Sequence, residues 1–518
     1  MKKIMLLLIA GFSAMGWLAA QEQHGVCGNS AEDQLLFRDR LISNLENTHS
    51  GQVVADRGAI QYVPVHFHLV GDAQGGGKVK ELKVLEQMCA LNAAYAPMDI
   101  RFYLRPHPDP AKGTLFNYTI NATNVYSNQT AWLTMNTNRH PNAINIYVVD
   151  QAVSGNNNPG VTLAYYSGNR DWIVSRRDYV NGNANNSTIP HEVGHFFSLN
   201  HTFYGWESNP FESTDPSWPV APILSPAGNP TEKANGTNCG TAGDLICDTP
   251  PDYNFGLGYG SCTYTAGAKD PTGTIVDPME NNMMGYFETC TEYVFTPQQQ
   301  TIILADLASS QRNYLDNNFT PVATEIITPA DLLVAPAAGV TMPYYDEVLL
   351  EWQSVTGAAY YLLEMDIVSS YTSQFAQSFV VAATSKLVTT LQPNRNYYWR
   401  VRPFNEYVTC TTPRQRTFRT PTTSAVRSIE GLSAWQIAPN PVSNLSEVAL
   451  AVTAENNFDA TIRVFDAAGR QVYEQVGVIF SAGENRYDLS LGDLKNGLYQ
   501  VLMQSGNGQS VRKLAVLR

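Results

Sequence analysis

Between Thr188 and Phe203 the chain reads "TIPHEVGHFFSLNHTF", which sets His191, His195 and His201 around Glu192, although all 518 residues hold only nine histidines. Helical positions four apart share a face, so His191 and His195 can offer imidazole nitrogens to one ion. If the helix stops soon after His195 and the chain reverses, His201 supplies a third. Three neutral imidazoles leave a fourth position open for water, the arrangement of a catalytic zinc site. Glu192, one position on from His191, sits close to the ion but off the ligand axis. There it can act as a general base on zinc-bound water and later protonate a leaving amine.

The elements around this stretch must hold it. "AIQYVPVHFHLV", "DIRFYL" and "AINIYVVD" read as strands, and "KVKELKVLEQMCALNAAYA" carries apolar residues at helical spacing. A sheet with helices packed on it follows, an α/β layer architecture with the histidine helix as one of its helices. "FTPQQQTIILADLASSQRNYL" reads as a closing helix. Beyond the Pro- and Ala-rich "TPVATEIITPADLLVAPAAG" only short β-runs appear, enough for two all-β sandwiches. His66 and His68 alternate with apolar residues on a strand and read as structural.

The start, "MKKIMLLLIAGFSAMGWLAA", has the charged, apolar and small-residue regions of a secretory signal peptide, with cleavage expected after Ala20. No later run is apolar enough for a membrane helix, so no transmembrane span is expected. A formal net charge of −13 without clustered Lys or Arg argues against nucleic-acid binding. Seven cysteines in an exported chain imply disulfides with one thiol left over. Cys239, Cys247, Cys262 and Cys290 lie together after the histidine cluster, and their spacing alone permits three connectivities.

"HEVGHFFSLNHTF" resembles the zinc helix of the pappalysin family of metzincin metallopeptidases, and "NCGTAGDLICDTPPD", "ENNMMGYFETC" and "VFTPQQ" follow in that family's order, over roughly residues 60 to 318. The resemblance implies an α/β metzincin (zincin) catalytic domain with a twisted sheet and an active-site helix, followed by the two all-β sandwich domains. It implies that His191, His195 and His201 are metal ligands for Zn2+ and that Glu192 is catalytic. Met284 is then the Met-turn methionine, and Tyr286 lies near the zinc and can stabilise the tetrahedral intermediate. It also pairs Cys239 with Cys262 and Cys247 with Cys290. One departure stands out: Ser198 occupies the position three after the second histidine, where metzincins carry glycine because the backbone takes a positive φ. Glu288 borders the region of the S1′ pocket and would favour a basic residue there. The Asp- and Gly-rich loops around Asp244 and Asp248 admit a structural Ca2+, though no EF-hand spacing is present.

Cys27, just after the signal peptide, resembles the cysteine switch of several metzincins, in which a thiolate plugs the open zinc position; the alternatives are a spare thiol or a bridge to Cys89 or Cys410. The stretch after residue 329 resembles a fibronectin type III module, read as a spacer or docking module. The final stretch, from "IAPNPVSN" to "RKLAVLR", resembles the type A C-terminal sorting domain of type IX secretion cargo. The expected organisation is a signal peptide at 1–20, a pro-segment at 21–57, the catalytic domain at 58–320, the fibronectin type III-like domain at 330–421 and the sorting domain at 435–518. The expected function is that of a secreted zinc endopeptidase, made as a latent precursor, with protein or peptide substrates and an outer-membrane secretion machinery as partners. The product is then extracellular or attached to the cell surface. The competing reading is a secreted adhesion protein on a metzincin scaffold, inactivated through Ser198.

Overall fold

The structure is a computed structural model. It describes residues 26–50, 59–109, 115–120, 125–126, 129–153, 162–180, 187–212, 220–315, 318–423, 429–443, 448–492, 494–506 and 508–517. The expected signal peptide, its cleavage point and the end of the pro-segment lie outside the described residues.

The N-terminal half is built on a seven-stranded sheet. In chain order its elements are β1 (Val26–Cys27), α1 (Ala31–His49), β2 (Gln61–Gly71), α2 (Glu81–Tyr95), β3 (Ile100–Leu104) and β4 (Asn117–Ile120). Then come β5 (Val125–Tyr126), α3 (Gln129–Asn138), β6 (Ile144–Val149), β7 (Gln151–Ala152), β8 (Thr162–Ser167) and β9 (Trp172–Arg176). Helices α4 (Thr188–Phe196) and α5 (Pro297–Leu307) complete this half. The strand order is β1-β8-β9-β6-β2-β3, with β4 also on β2, while β5 and β7 form a separate pair. β8 runs antiparallel to β9, and the other pairings in the seven-stranded sheet are parallel. The central strand β2 is buried from Val63 to Gly71, as a strand covered on both faces must be.

Helices α1, α2, α4 and α5 bury one common core on one face of the sheet, including Phe37, Leu41, Leu85, Met88, Val193, Phe196 and Ile303. The opposite face packs Tyr147, Trp172 and Val174 against Met135 of α3. Helix α1 is capped by the Ser30 side chain, which accepts from Asp33 N. Strand β1 is not visible in the sequence, because two residues carry no periodicity. It forms by adding in parallel to the free edge of β8, an exposed row of donors and acceptors.

One feature corrects the sequence reading. The disulfides join Cys239 to Cys247 and Cys262 to Cys290, with Cα atoms 5.0 and 4.9 Å apart, so the pairing taken from the resemblance does not hold. Each bridge closes its own short loop, because the chain between each pair turns back on itself. The stretch after residue 329 forms sheets of three and five strands and docks on the N-terminal half. Its Cys410 bridges Cys89 of α2, the Leu104 N–H at the end of the edge strand β3 donates to Glu406 O at 2.8 Å, and Leu362 and Phe404 are part of the N-terminal half's core. A last pair of sheets, of three and four strands, spans Leu432 to Val516.

His66 and His68 stand on β2 amid a cluster with His107 and His140, the His66 ring centroid lying 4.8, 5.6 and 5.3 Å from the other three. His66 Nδ1–H donates to Arg105 O, while its Nε2 is buried without a partner. Burial, against the bond to Arg105 O and together with the neighbouring imidazoles, pushes the His66 pKa down to about 3, and burial lowers that of His68 as well.

Two measurements test these assignments. The double variant Cys89→Ser and Cys410→Ser should lower Tm by about 5–10 °C, since a bridge closing a long loop contributes roughly 2–5 kcal/mol; an unchanged Tm would assign the docking to apolar contacts alone. The pKa of His66 is depressed on folding, so the unfolded chain binds the extra proton first as pH falls. Stability is then complete above about pH 6.5 and is lost progressively from there down to about 3. Chemical denaturation at pH 7.5 and 5.0 should show that loss, and His66→Phe should flatten it.

Candidate active site

Helix α4 ends where the metal ligands need it to end. Its C-terminus is a Schellman turn: Leu199 N–H donates to Gly194 O at 3.0 Å and Ser198 N–H to His195 O at 2.9 Å. The turn requires a left-handed residue, and Ser198 takes φ 66°, the conformation glycine adopts without steric cost. The reversal returns His201 to His195, with their Nε2 atoms 3.2 Å apart.

Main-chain carbonyls fix the tautomers. His191 Nδ1–H donates to Met283 O at 2.8 Å and His195 Nδ1–H to Leu199 O at 2.7 Å, so both Nε2 atoms carry lone pairs. His201 Nδ1 lies 3.6 Å from a Glu207 carboxylate oxygen. His191 Nε2 is buried with no hydrogen-bond partner. Burial and the neighbouring His201 push the pKa of His191 down to about 3, which keeps it neutral. Lone pairs converging in a buried pocket repel one another unless a cation lies between them. Four ligand atoms, from Cys27, His191, His195 and His201, all lie within 4.8 Å of one another, and among the described residues no other His, Cys, Asp or Glu group is so arranged. The donor set, three imidazoles and a thiol, fits tetrahedral Zn2+.

Met284 lies directly beneath the helix: a Cβ on Gly194 would come within 2.5 Å of its sulfur. The methionine segment is held in turn by Asn282, whose Oδ1 accepts from Met284 N at 2.9 Å. Asn282 and Gln299 exchange two side-chain amide bonds, both 3.1 Å. Gln299 closes the capping box of α5 with Thr296. Asp252, in the "CDTPPD" run, accepts from the hydroxyl of Thr202 at 2.8 Å, beside His201.

The N-terminal β1 and α1 lie across this centre. Cys27 is the free cysteine, its N–H donates to the Tyr286 hydroxyl at 2.9 Å, and its thiol hydrogen-bonds Glu192. Burial raises the Glu192 pKa to about 8, opposed by the contacts with Cys27 and the Tyr166 backbone. Burial also holds Tyr286 protonated, and its hydroxyl lies 3.4 Å from His201 Nε2. Phe37 of α1 stacks on the His195 ring with centroids 5.3 Å apart. Asn44 donates from Nδ2 to both Ser198 Oγ and Asp306 Oδ2, each at 3.0 Å.

The sequence-derived candidates therefore fall into three groups. His191, His195, His201, Glu192, Cys27, Tyr286 and Met284 come together. Glu288 is half-buried outside the four-residue cluster, and its charge acts on Tyr293. The calcium expectation finds no support: Asp244 accepts from Ile246 N and the Thr249 hydroxyl, and Asp248 from the Thr296 hydroxyl and Gln298 N, which places these carboxylates in a turn and at a helix cap. Asn44, Asp252, Gln299 and Arg312 went unread in the sequence, because each contributes through a partner distant in the chain.

Comparisons with known proteins bear on both ends of the chain. Residues 436–517 match the family described as "Secretion system C-terminal sorting domain". An extracellular metalloprotease of Sordaria macrospora is 26% identical over 314 residues, covering 58% of this chain and 94% of that protein. One from Colletotrichum graminicola is 26% identical over 308 residues, 55% of this chain and 93% of that protein. Among solved structures, Tannerella forsythia promirolysin aligns at 17% identity over 56% of this chain and 96% of its own, with a TM-score of 0.38. Among the described residues no helix is long and apolar enough to cross a membrane. The chain is a secreted protein, extracellular or at the cell surface, that is related to extracellular metalloproteases and ends in a secretion-system C-terminal sorting domain.

Proposed function

We propose that the chain is a zinc-dependent endopeptidase of the pappalysin type, exported as a latent precursor. The observation that carries this reading is the convergence of three imidazole Nε2 atoms and one thiol beside a buried glutamate. His191, His195 and His201 would hold the ion, and zinc bound there supplies a Lewis acid that lowers the pKa of a water molecule to about 7. Glu192 would take a proton from the attacking water and deliver it to the leaving amine. Tyr286, kept protonated by burial, donates a hydrogen bond to the oxyanion that develops on the scissile carbonyl. Glu288 is the candidate for preferring a basic side chain in the substrate.

Latency rests on the pro-segment's place in the cleft. Cys27 takes the position that water needs, β1 covers the edge of β8 where an extended substrate would pair, and Phe37 covers His195. Ser198 supports this reading over that of an inactivated adhesion protein, since its left-handed turn still delivers His201 and its hydroxyl has a partner in Asn44.

Two experiments decide the matter. The processed chain should cleave denatured casein, and a chelator should abolish cleavage until zinc is restored. Glu192→Ala should bind zinc stoichiometrically and lose at least about 100-fold in kcat; full activity in that variant would remove Glu192 from the chemistry. In the unprocessed chain, Cys27→Ala should raise activity about tenfold or more, whereas a fully active precursor with Cys27 intact would end the latency reading.

A further inference from the structure

Helix α4 leaves four carbonyls at its C-terminal end that need partners from outside the helix's own repeat. Three are met by the following turn: Val193 O by Phe197 N–H, Gly194 O by Leu199 N–H and His195 O by Ser198 N–H. The fourth, Phe196 O, accepts from an Nη2–H of Arg312, which comes from the segment after α5, 116 residues on in the chain. That guanidinium is almost fully buried, lies 3.8 Å from the centroid of the Phe196 ring, and places its charge at the helix end where the dipole favours a cation. Its Nε–H donates to Asp306 Oδ1 at 2.6 Å and Nη1–H to Asp171 Oδ1 at 3.3 Å. Asp306 belongs to α5. Asp171 closes the β8–β9 hairpin and also accepts from the hydroxyl of Tyr166, the residue whose backbone contacts Glu192.

We propose that Arg312 is a positioning residue of the metal centre. It pins the Phe196–Phe197 peptide, one residue past His195, and so fixes the turn that sets the distance between His195 and His201. It also ties that turn to the hairpin alongside Glu192. Only a planar fork with five donors spans these three acceptors at once; a lysine ammonium is a point charge on a flexible stem. The proposal rests on the zinc-peptidase reading for its kinetic consequence but not for its effect on metal affinity. In the precursor Asn44 touches the same assembly through Asp306 and Ser198, so the pro-helix packs against the device that positions the ligands.

The test compares Arg312→Lys with Met135→Ala. The latter opens a cavity on the opposite face of the sheet and lowers stability without touching α4. Zinc affinity is measured by competition with a chromophoric chelator on the full chain carrying Cys27→Ala, and kcat and KM are measured on the processed chain. For Arg312→Lys the expected result is a loss of about 10–100-fold in zinc affinity and a fall in kcat, with KM within twofold. Met135→Ala should lower Tm and leave zinc affinity per folded molecule unchanged. An Arg312→Lys chain that loses Tm but keeps wild-type zinc affinity and kcat would make Arg312 an ordinary buried ion pair and overturn the proposal. Should that variant not fold, Asp306→Asn, which keeps the guanidinium and removes one of its anchors, should lower zinc affinity about threefold or more; unchanged affinity there counts equally against it. Wild-type chain that binds zinc without cleaving casein would defeat the peptidase reading, and the affinity comparison would still decide the role of Arg312.

Discussion

The constraint from which the rest of the catalytic half follows is the convergence of three imidazole lone pairs on one buried point. Left alone the arrangement is unfavourable, since acceptors face acceptors with little water to separate them. It is held open by groups that cannot relax away: the carbonyls of Met283 and Leu199 fix two tautomers, and the turn at Ser198 fixes the third ring. Each holding group is anchored further out. Met283 and Met284 depend on Asn282, Asn282 on Gln299, and Gln299 on the capping box of α5. Zinc affinity is then a property of three elements packed together rather than of one helix.

The same convergence explains why a short N-terminal segment fits so well. A thiol is the remaining group a tetrahedral site accepts, and Cys27 reaches it only because β1 borrows the edge of β8 and α1 buries Phe37 and Leu41 in the main core. A segment that shares the core in this way is strongly bound, and its departure would expose apolar surface on α5 and around His195.

What could be read from the sequence follows a physical division. Residues whose role is set by local spacing were legible. His191 and His195 share a helical face, and Ser198 stands where a left-handed turn must fall. Residues whose role depends on a distant partner were not. Four cysteines admit three pairings, and only the folding of each loop back on itself selects Cys239 with Cys247 and Cys262 with Cys290. Cys89 and Cys410 lie 321 positions apart, so the rigid docking of the β-module left no local trace. Arg312 looks like any arginine after a helix until Phe196 O is found beneath it.

Ser198 brings these strands together. A side chain at φ 66° carries a cost of roughly 1–2 kcal/mol relative to glycine, which by itself argues for a weakened site. That cost is set against a buried hydrogen bond from Asn44 to the Ser198 hydroxyl, contributing about 1 kcal/mol, which exists only while α1 is in place. The offset therefore acts only while α1 is docked on this fully buried turn. A glycine would make the turn equally favourable with or without α1; serine makes it more favourable with α1 in place. The departure from glycine at this position thus ties the turn to α1, and it leaves the geometry of the three histidines intact.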